Sequence, residues 1–144
     1  KMLQLSAERG VGAHPYFTTP QHTAEARALM GAKPLIAPEI AVIFETDKDK
    51  ARATARKFMS TYTRLPNYAN NLKRFGFTDD EITNQEDRLV DAIVAWGSMD
   101  TVVAAVKSHL DAGADHVCIQ VLTDKPGSLP MREWQELADA TRSL

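Results

Sequence analysis

The order of apolar patterns along this 144-residue chain predicts an α/β fold built on a parallel sheet. Residues 40–44 (IAVIF) form an unbroken apolar run rich in β-branched side chains, the pattern of a strand buried on both faces. The strand-like stretches are separated by helical periodicity rather than by tight turns, so the connections are right-handed crossovers between parallel strands. Only three such strands are readable, fewer than the five or six of an ordinary sheet, and a closed eight-stranded α/β barrel takes about 250 residues. The expectation is therefore the C-terminal portion of a larger α/β barrel: about three parallel strands with surrounding helices, one sheet face bare and two edges unpaired.

Each element has its own signal. Met2, Leu3, Leu5 and Ala7 mark a helix stopped by Gly10 and Gly12. Residues 13–17 (AHPYF) read as a strand that Pro15 confines to an edge or an interrupted ladder. Thr19-Pro20 opens a helix as N-cap and first-turn proline, with Ala24, Ala28 and Leu29 inward and Gly31 at its end. Residues 33–39 carry two prolines and read as a connector. After the strand at 40–44, Asp47 or Asp49 starts a long helix whose stripe is Ala51, Ala55, Phe58 and Tyr62. Pro66 breaks it, and a further helix carries Tyr68, Leu72 and Phe75. Thr78 and Glu81 form a capping box. Leu89, Val90, Ile93, Val94 and Trp96 read as one helix ended by Gly97. Ser98 or Asp100 caps the next, with Val102, Val103, Val106 and Leu110 inward. Residues 117–122 (VCIQVL) are the third strand, and Pro130 opens a last helix through Trp134 and Leu137.

The bulk numbers remove several function classes. A net charge of −2, with Lys and Arg spread among acids, gives no electrostatic reason for a nucleic acid or anionic membrane partner. No apolar run approaches the roughly 20 residues needed to span a bilayer. Cys118 is the sole cysteine, so neither an internal disulfide nor a thiolate cage can form, which suits a reducing, cytoplasmic compartment. No His pair has the i, i+4 spacing of a helical zinc site, so no metal is expected. TDDEITNQED lacks the central Gly and ligand spacing of a calcium loop and reads as a solvated helix start. Gly10-Val11-Gly12 follows a helix rather than a strand and is no dinucleotide fingerprint.

Five stretches, taken in order and spacing, carry a family likeness: KMLQLSAERGVGAHPYFTTPQHTAEAR, LIAPEIAVIFETDKDKARATAR, LPNYANNLKRFGFTDDE, DRLVDAIVAWGSMDTVVAAVKSHLDAGADHVCIQVL and PMREW. With them the chain resembles the luciferase-like monooxygenase superfamily, in particular the branch that uses the deazaflavin coenzyme F420. The resemblance implies a (β/α)8 TIM barrel. In it a Gly-Pro pair at the end of the fifth strand leads into a helix beginning Lys-Met-Leu, and the backbone of that turn lies against the flavin or deazaflavin. The sequence starts at the Lys of this motif. The resemblance thus makes residues 1–144 a single partial domain, the C-terminal part of the barrel. It places most cofactor contacts, and the family's usual catalytic His, Trp or Glu, on strands outside it, so no catalytic residue can be named and the chain alone is expected to be inactive.

The resemblance sets Lys1 and Met2 at a helix N-terminus beside the cofactor, where an anion such as a coenzyme phosphate is favoured. In a parallel barrel, function gathers at the carboxyl ends of the strands. That rule selects Tyr16, Phe17, Thr18 and Thr19 after the first strand, Glu45, Thr46 and Asp47 after the second, and Gln120, Leu122 and Thr123 after the third. Tyr16 and Phe17 are candidates to wall off substrate, and strand alternation lets only one of them point inward. Thr19 and His22 join them as substrate-binding candidates, His22 as a donor to an anionic group. His14 sits in a strand, His109 on a helix surface and His116 before a strand. Cys118 reads as a small buried hydrophobe.

These readings converge on a segment of an F420-dependent oxidoreductase that passes a hydride between reduced deazaflavin and a small organic substrate, within a parent that forms a homo-oligomer. An FMN-dependent monooxygenase on the same barrel is the nearest alternative. From another class, a non-catalytic α/β module would self-associate through its bare sheet face.

Overall fold

The computed structural model describes residues 1–125, 127–142 and 144. The chain runs α1 (Met2–Arg9), β1 (Gly12–Ala13), α2 (Pro20–Met30), β2 (Leu35–Ile36), β3 (Glu39–Ile43), α3 (Lys48–Tyr62), α4 (Pro66–Arg74), α5 (Asp79–Asn84), α6 (Asp87–Ile93), β4 (Val94–Trp96), α7 (Met99–Asp111), β5 (Cys118–Val121) and α8 (Met131–Ala140). Every strand pairing is parallel. β3 is central in the order β4-β3-β5, with Ala41 opposite Val94 on one side and Gln120 on the other. β1 pairs with β2, and a single bridge from Tyr16 to Glu39 carries that ladder on to β3. Glu39 also pairs with Cys118. A strand residue has one neighbour on each side, so Tyr16 lies on the edge of β3 away from β5, below the stretch that β4 occupies, while β1 itself pairs with β2.

Two cores flank this sheet, because successive side chains of β3 point to opposite faces. Ile40 and Val42 meet Val102 and Val106 of α7, Val117, and Leu137 of α8. Ala41 and Ile43 meet Ala51, Ala55 and Met59 of α3, Leu72 of α4, Ile82 of α5, and Leu89, Val90 and Ile93 of α6. The expectation of a bare sheet face is therefore corrected at β3. The long connection between β3 and β4 folds back over that face and covers it.

Four further readings change. The inner face of α2 is Thr23, Ala26 and Met30, because the helix is rotated away from the expected face, and Ala24, Ala28 and Leu29 are exposed. Val94–Trp96 is a strand rather than the end of a helix; the run from Leu89 is apolar on both periods, and pairing with β3 decides where the helix stops. The connector at 33–39 contains β2, whose Leu35 and Ala37 N–H groups donate to Val11 O and Ala13 O at 2.9 and 3.0 Å. The first strand shortens to Gly12–Ala13 plus one bridge, since Pro15 has no N–H for a continuous ladder. At Gly12 the partner strand comes so close that a Cβ would sit 2.0 Å from Leu35 O.

Asp47 caps α3 by accepting from the Asp49 and Lys50 N–H groups, and Ser98 caps α7 by accepting from Thr101 N–H. The capping box is formed: Thr78 Oγ1 accepts from Glu81 N–H at 3.2 Å and the Glu81 carboxylate accepts from Thr78 N–H at 2.8 Å. Arg88 donates to the same carboxylate, and together these contacts hold the Glu81 pKa down at about 2. Arg52 ties α3 to α6 through Asp87 and Asp91, and Trp96 Nε1 donates to Asp91 at 2.8 Å.

Candidate functional site

The chain leaves β1 through Tyr16 and turns sharply at Phe17, whose φ of +58° is left-handed and uncommon for an aromatic residue. The turn breaks strand alternation. Both rings therefore pack on Tyr62, each with centroids 5.1 Å apart, and both also meet Phe58 and Tyr68. Both rings join the same cluster, but only Tyr16 also reaches the groove beside the turn. Tyr16 OH donates to Tyr62 OH at 2.9 Å, and Gln120 Oε1 stands 3.4 Å away. Burial, then the Tyr62 hydrogen bond, raises the Tyr16 pKa and keeps the phenol protonated.

A groove of about 770 Å³ opens beside this turn. Lys1 and Met2 line it from the start of α1, Tyr16 and Thr18 from the turn, His22 and Glu25 from α2, and Asn67, Tyr68, Asn71 and Arg74 from α4. Four of the six candidate residues thus border one space. The other two do not. Phe17 is buried in the aromatic cluster and Thr19 is buried at the start of α2, and neither lines the groove.

The polar groups of the groove are unevenly matched. Arg74 pairs with Glu25 and its guanidinium lies over Phe75. The His22 and Phe75 rings meet edge to face with centroids 5.8 Å apart, and His22 Nδ1 is buried without a partner among the described residues. Burial lowers the His22 pKa; Glu25 partly offsets that and Arg74 adds to it. The hydroxyls of Thr18 and Thr19 are also buried and have no partner among the described residues. Asn67, Asn71 and Arg74 went unnoticed in the sequence, although their i, i+4, i+7 spacing puts three polar groups on one face of a helix whose Leu72 is core.

At the carboxyl ends of β3 and β5 lies a second hollow of about 370 Å³, lined by Glu45, Lys50, Thr54, Leu122, Thr123 and Asp124 among others. It takes in Glu45, Leu122 and Thr123 of the rim residues, while Asp47 is used as a helix cap and Gln120 faces Tyr16. The remaining histidines stand elsewhere. His14 Nδ1 is 2.6 Å from Ala37 O, with Nε2 3.5 Å from Glu39. His109 is buried rather than on a helix surface, its Nδ1 2.9 Å from Thr23 Oγ1. Cys118 opens β5 and is only partly buried; burial and Glu39 raise its pKa, so it is a poor nucleophile. Among the described residues no group of three or more His, Cys, Asp or Glu side chains is placed to hold a metal ion, and no helix is long and apolar enough to cross a membrane.

No family model matches the sequence, and no curated protein matches it significantly. Solved structures do. An F420-dependent secondary alcohol dehydrogenase in complex with an F420-acetone adduct superimposes with a TM-score of 0.67 at 14% identity, covering 98% of this chain and 46% of its own. Coenzyme F420 dependent tetrahydromethanopterin reductase from Methanopyrus kandleri gives 0.66 at 18% identity, covering 95% of this chain and again 46% of its own. The chain spans less than half the length of either enzyme. With its parallel strands and flanking helices it shares the α/β fold of these two structures over that portion of their length.

Proposed function

We propose that this chain forms part of a coenzyme F420-dependent oxidoreductase in which the groove between α1, the Tyr16–Thr19 turn, α2 and α4 borders cofactor and substrate. The observation that carries the reading is that Lys1, Met2, Tyr16 and His22 line one groove in a fold shared with two F420-dependent enzymes. The groove suits the coenzyme. Lys1 and the first turn of α1 offer a cation and free N–H groups to an anionic tail, and Tyr16 and Tyr68 give it an aromatic wall. When bound, the coenzyme supplies the hydride chemistry, and the protein supplies orientation and exclusion of water.

The chain's own residues have limited roles in that chemistry. Tyr16, held protonated and tied to Tyr62, shapes the wall instead of trading protons. His22 is neutral near pH 7 and offers an uncommitted ring nitrogen to an organic substrate. The groups that finish proton transfer belong, on this reading, to strands of the parent barrel outside these residues; a reducing cytoplasmic location and a homo-oligomeric parent belong to the same proposal. Equilibrium titration of the protein with F420 and with FMN, followed by cofactor fluorescence, tests it. Saturable F420 binding weakened by Lys1→Ala is expected. Binding of FMN alone would favour the monooxygenase alternative. Absence of either, with a monodisperse self-associated species in sedimentation, would favour a non-catalytic module.

A further inference from the structure

The N-terminus of α2 is left open in a way that points to a ligand. Pro20 has no N–H, and the first helical bond runs from Thr23 N–H to Thr19 O. The N–H groups of Gln21 and His22 therefore have no intrahelical acceptor. Thr19 stands at the N-cap, yet its side chain accepts no hydrogen bond, and the first turn carries no acidic residue. Three buried polar atoms at the start of this helix have no partner among the described residues: Thr18 Oγ1, Thr19 Oγ1 and His22 Nδ1. Thr18 is only 7% exposed, and with His22 it lines the groove. A buried hydroxyl without a partner is costly, and a ligand oxygen restores what desolvation removed. The charges bordering the groove favour a negative ligand, Lys1 and Arg74 against Glu25.

We propose that the N-terminus of α2 seats the oxyanion of an anionic substrate, a carboxylate or a phosphate group, between the Gln21 and His22 N–H groups and the Thr18 hydroxyl. The inference rests on reading the groove as a substrate pocket and narrows the substrate to organic acids or phosphate esters. Arg74 acts from the α4 wall as a distant cation, since Glu25 already takes one of its donors.

The test is a pair of titrations followed by amide ¹H–¹⁵N spectra, with sodium phosphate and with sodium acetate at constant ionic strength. Saturable shifts centred on the Gln21 and His22 amides are expected. Thr18→Val removes one hydrogen bond and weakens binding about three- to tenfold, whereas Thr18→Ser retains it. Saturation by phosphate alone assigns a phosphate ester, and by acetate alone a carboxylic acid. Unmoved Gln21 and His22 amides in both titrations, or a folded Thr18→Val that binds like the parent sequence, overturns the site; should Thr18→Val not fold, the parent titrations and Thr18→Ser decide. Displacement of phosphate from these amides by F420 would hand the position to the cofactor and overturn it as a substrate subsite. Anion saturation in a protein that binds no F420 would leave the site standing and refute only the cofactor assignment.

Discussion

Lowering the pH from 7 to 5 should weaken the fold through one buried histidine. His109 on α7 is 4% exposed and faces Thr23 of α2, which is 0% exposed, with 2.9 Å between Nδ1 and Oγ1. Burial, with a smaller contribution from nearby His22, lowers its pKa from 6.5 to about 4. In the unfolded chain the ring titrates near its ordinary value. Between those two values the unfolded state binds a proton that the folded state refuses. Stability is therefore full above pH 6.5 and falls as the pH drops toward 4. Linkage over this span gives a loss of about 2 kcal/mol from pH 7 to pH 5, rising toward about 3 kcal/mol at the lower limit. The His22 pKa is lowered as well, so it adds to the slope with the same sign. The lowered carboxylates Glu81, Asp91 and Asp115 act below this interval, because unfolded carboxyls titrate near 4. Urea unfolding at pH 7 and pH 5 measures the effect, with His109→Gln and His22→Gln as controls. His109→Gln keeps an amide for Thr23 and should lose most of the pH dependence whatever its own stability. Equal stability at both pH values, or an undiminished slope in His109→Gln, would refute the argument.

Three other outcomes are expected. Gly12→Ala drives a Cβ into Leu35 O and should cost at least about 1–3 kcal/mol; amide exchange at Leu35 and Ala37, bonded across that ladder, should accelerate more than exchange in β3. Thr78→Ala removes the acceptor for Glu81 N–H and should lower the urea midpoint by the equivalent of about 1 kcal/mol. Met59→Ala empties a fully buried position between α3 and the sheet and should cost about 2–5 kcal/mol in the same assay.

The strands and helices with one dominant period were legible. Ile40 to Ile43 are buried on both faces, as an unbroken apolar run requires, with Phe44 partly buried at its end, and the stripe from Ala51 to Tyr62 does face the sheet. The capping box at Thr78 and Glu81 was readable because its two partners lie three residues apart. What escaped depends on distant pairing. Nothing local distinguishes Val94–Trp96 from another helical turn until β3 stands beside it. Leu35 and Ile36, hemmed in by Pro34 and Pro38, form a strand only because Gly12 allows β1 to approach. For the site, topology alone identified the turn after the first strand. It could not reveal that the left-handed backbone at Phe17 withdraws that ring from the groove, nor that α4 supplies the opposite wall, because α4 lies some fifty residues further along the chain.

One helix therefore serves both the core and the groove. On α4, Leu72 is buried among Met59, Ile82 and Leu89, while Asn67, Asn71 and Arg74 border the groove. Tyr68 does both, since it lines the groove and its ring packs edge-on against Phe17 and Tyr62. The wall is held by close-packed side chains rather than by a free loop, and such packing resists small displacements. Tyr16 extends that rigidity to the other side, because its hydroxyl is fixed on Tyr62 of α3 while its ring faces the groove. The buried, unpartnered polar atoms of Thr18 and His22 are thus set in a close-packed frame, and the anion site proposed there would, on this geometry, spend little of its binding energy on ordering itself. The covering of β3 by the long α3–α6 connection is for that reason part of how the groove is built.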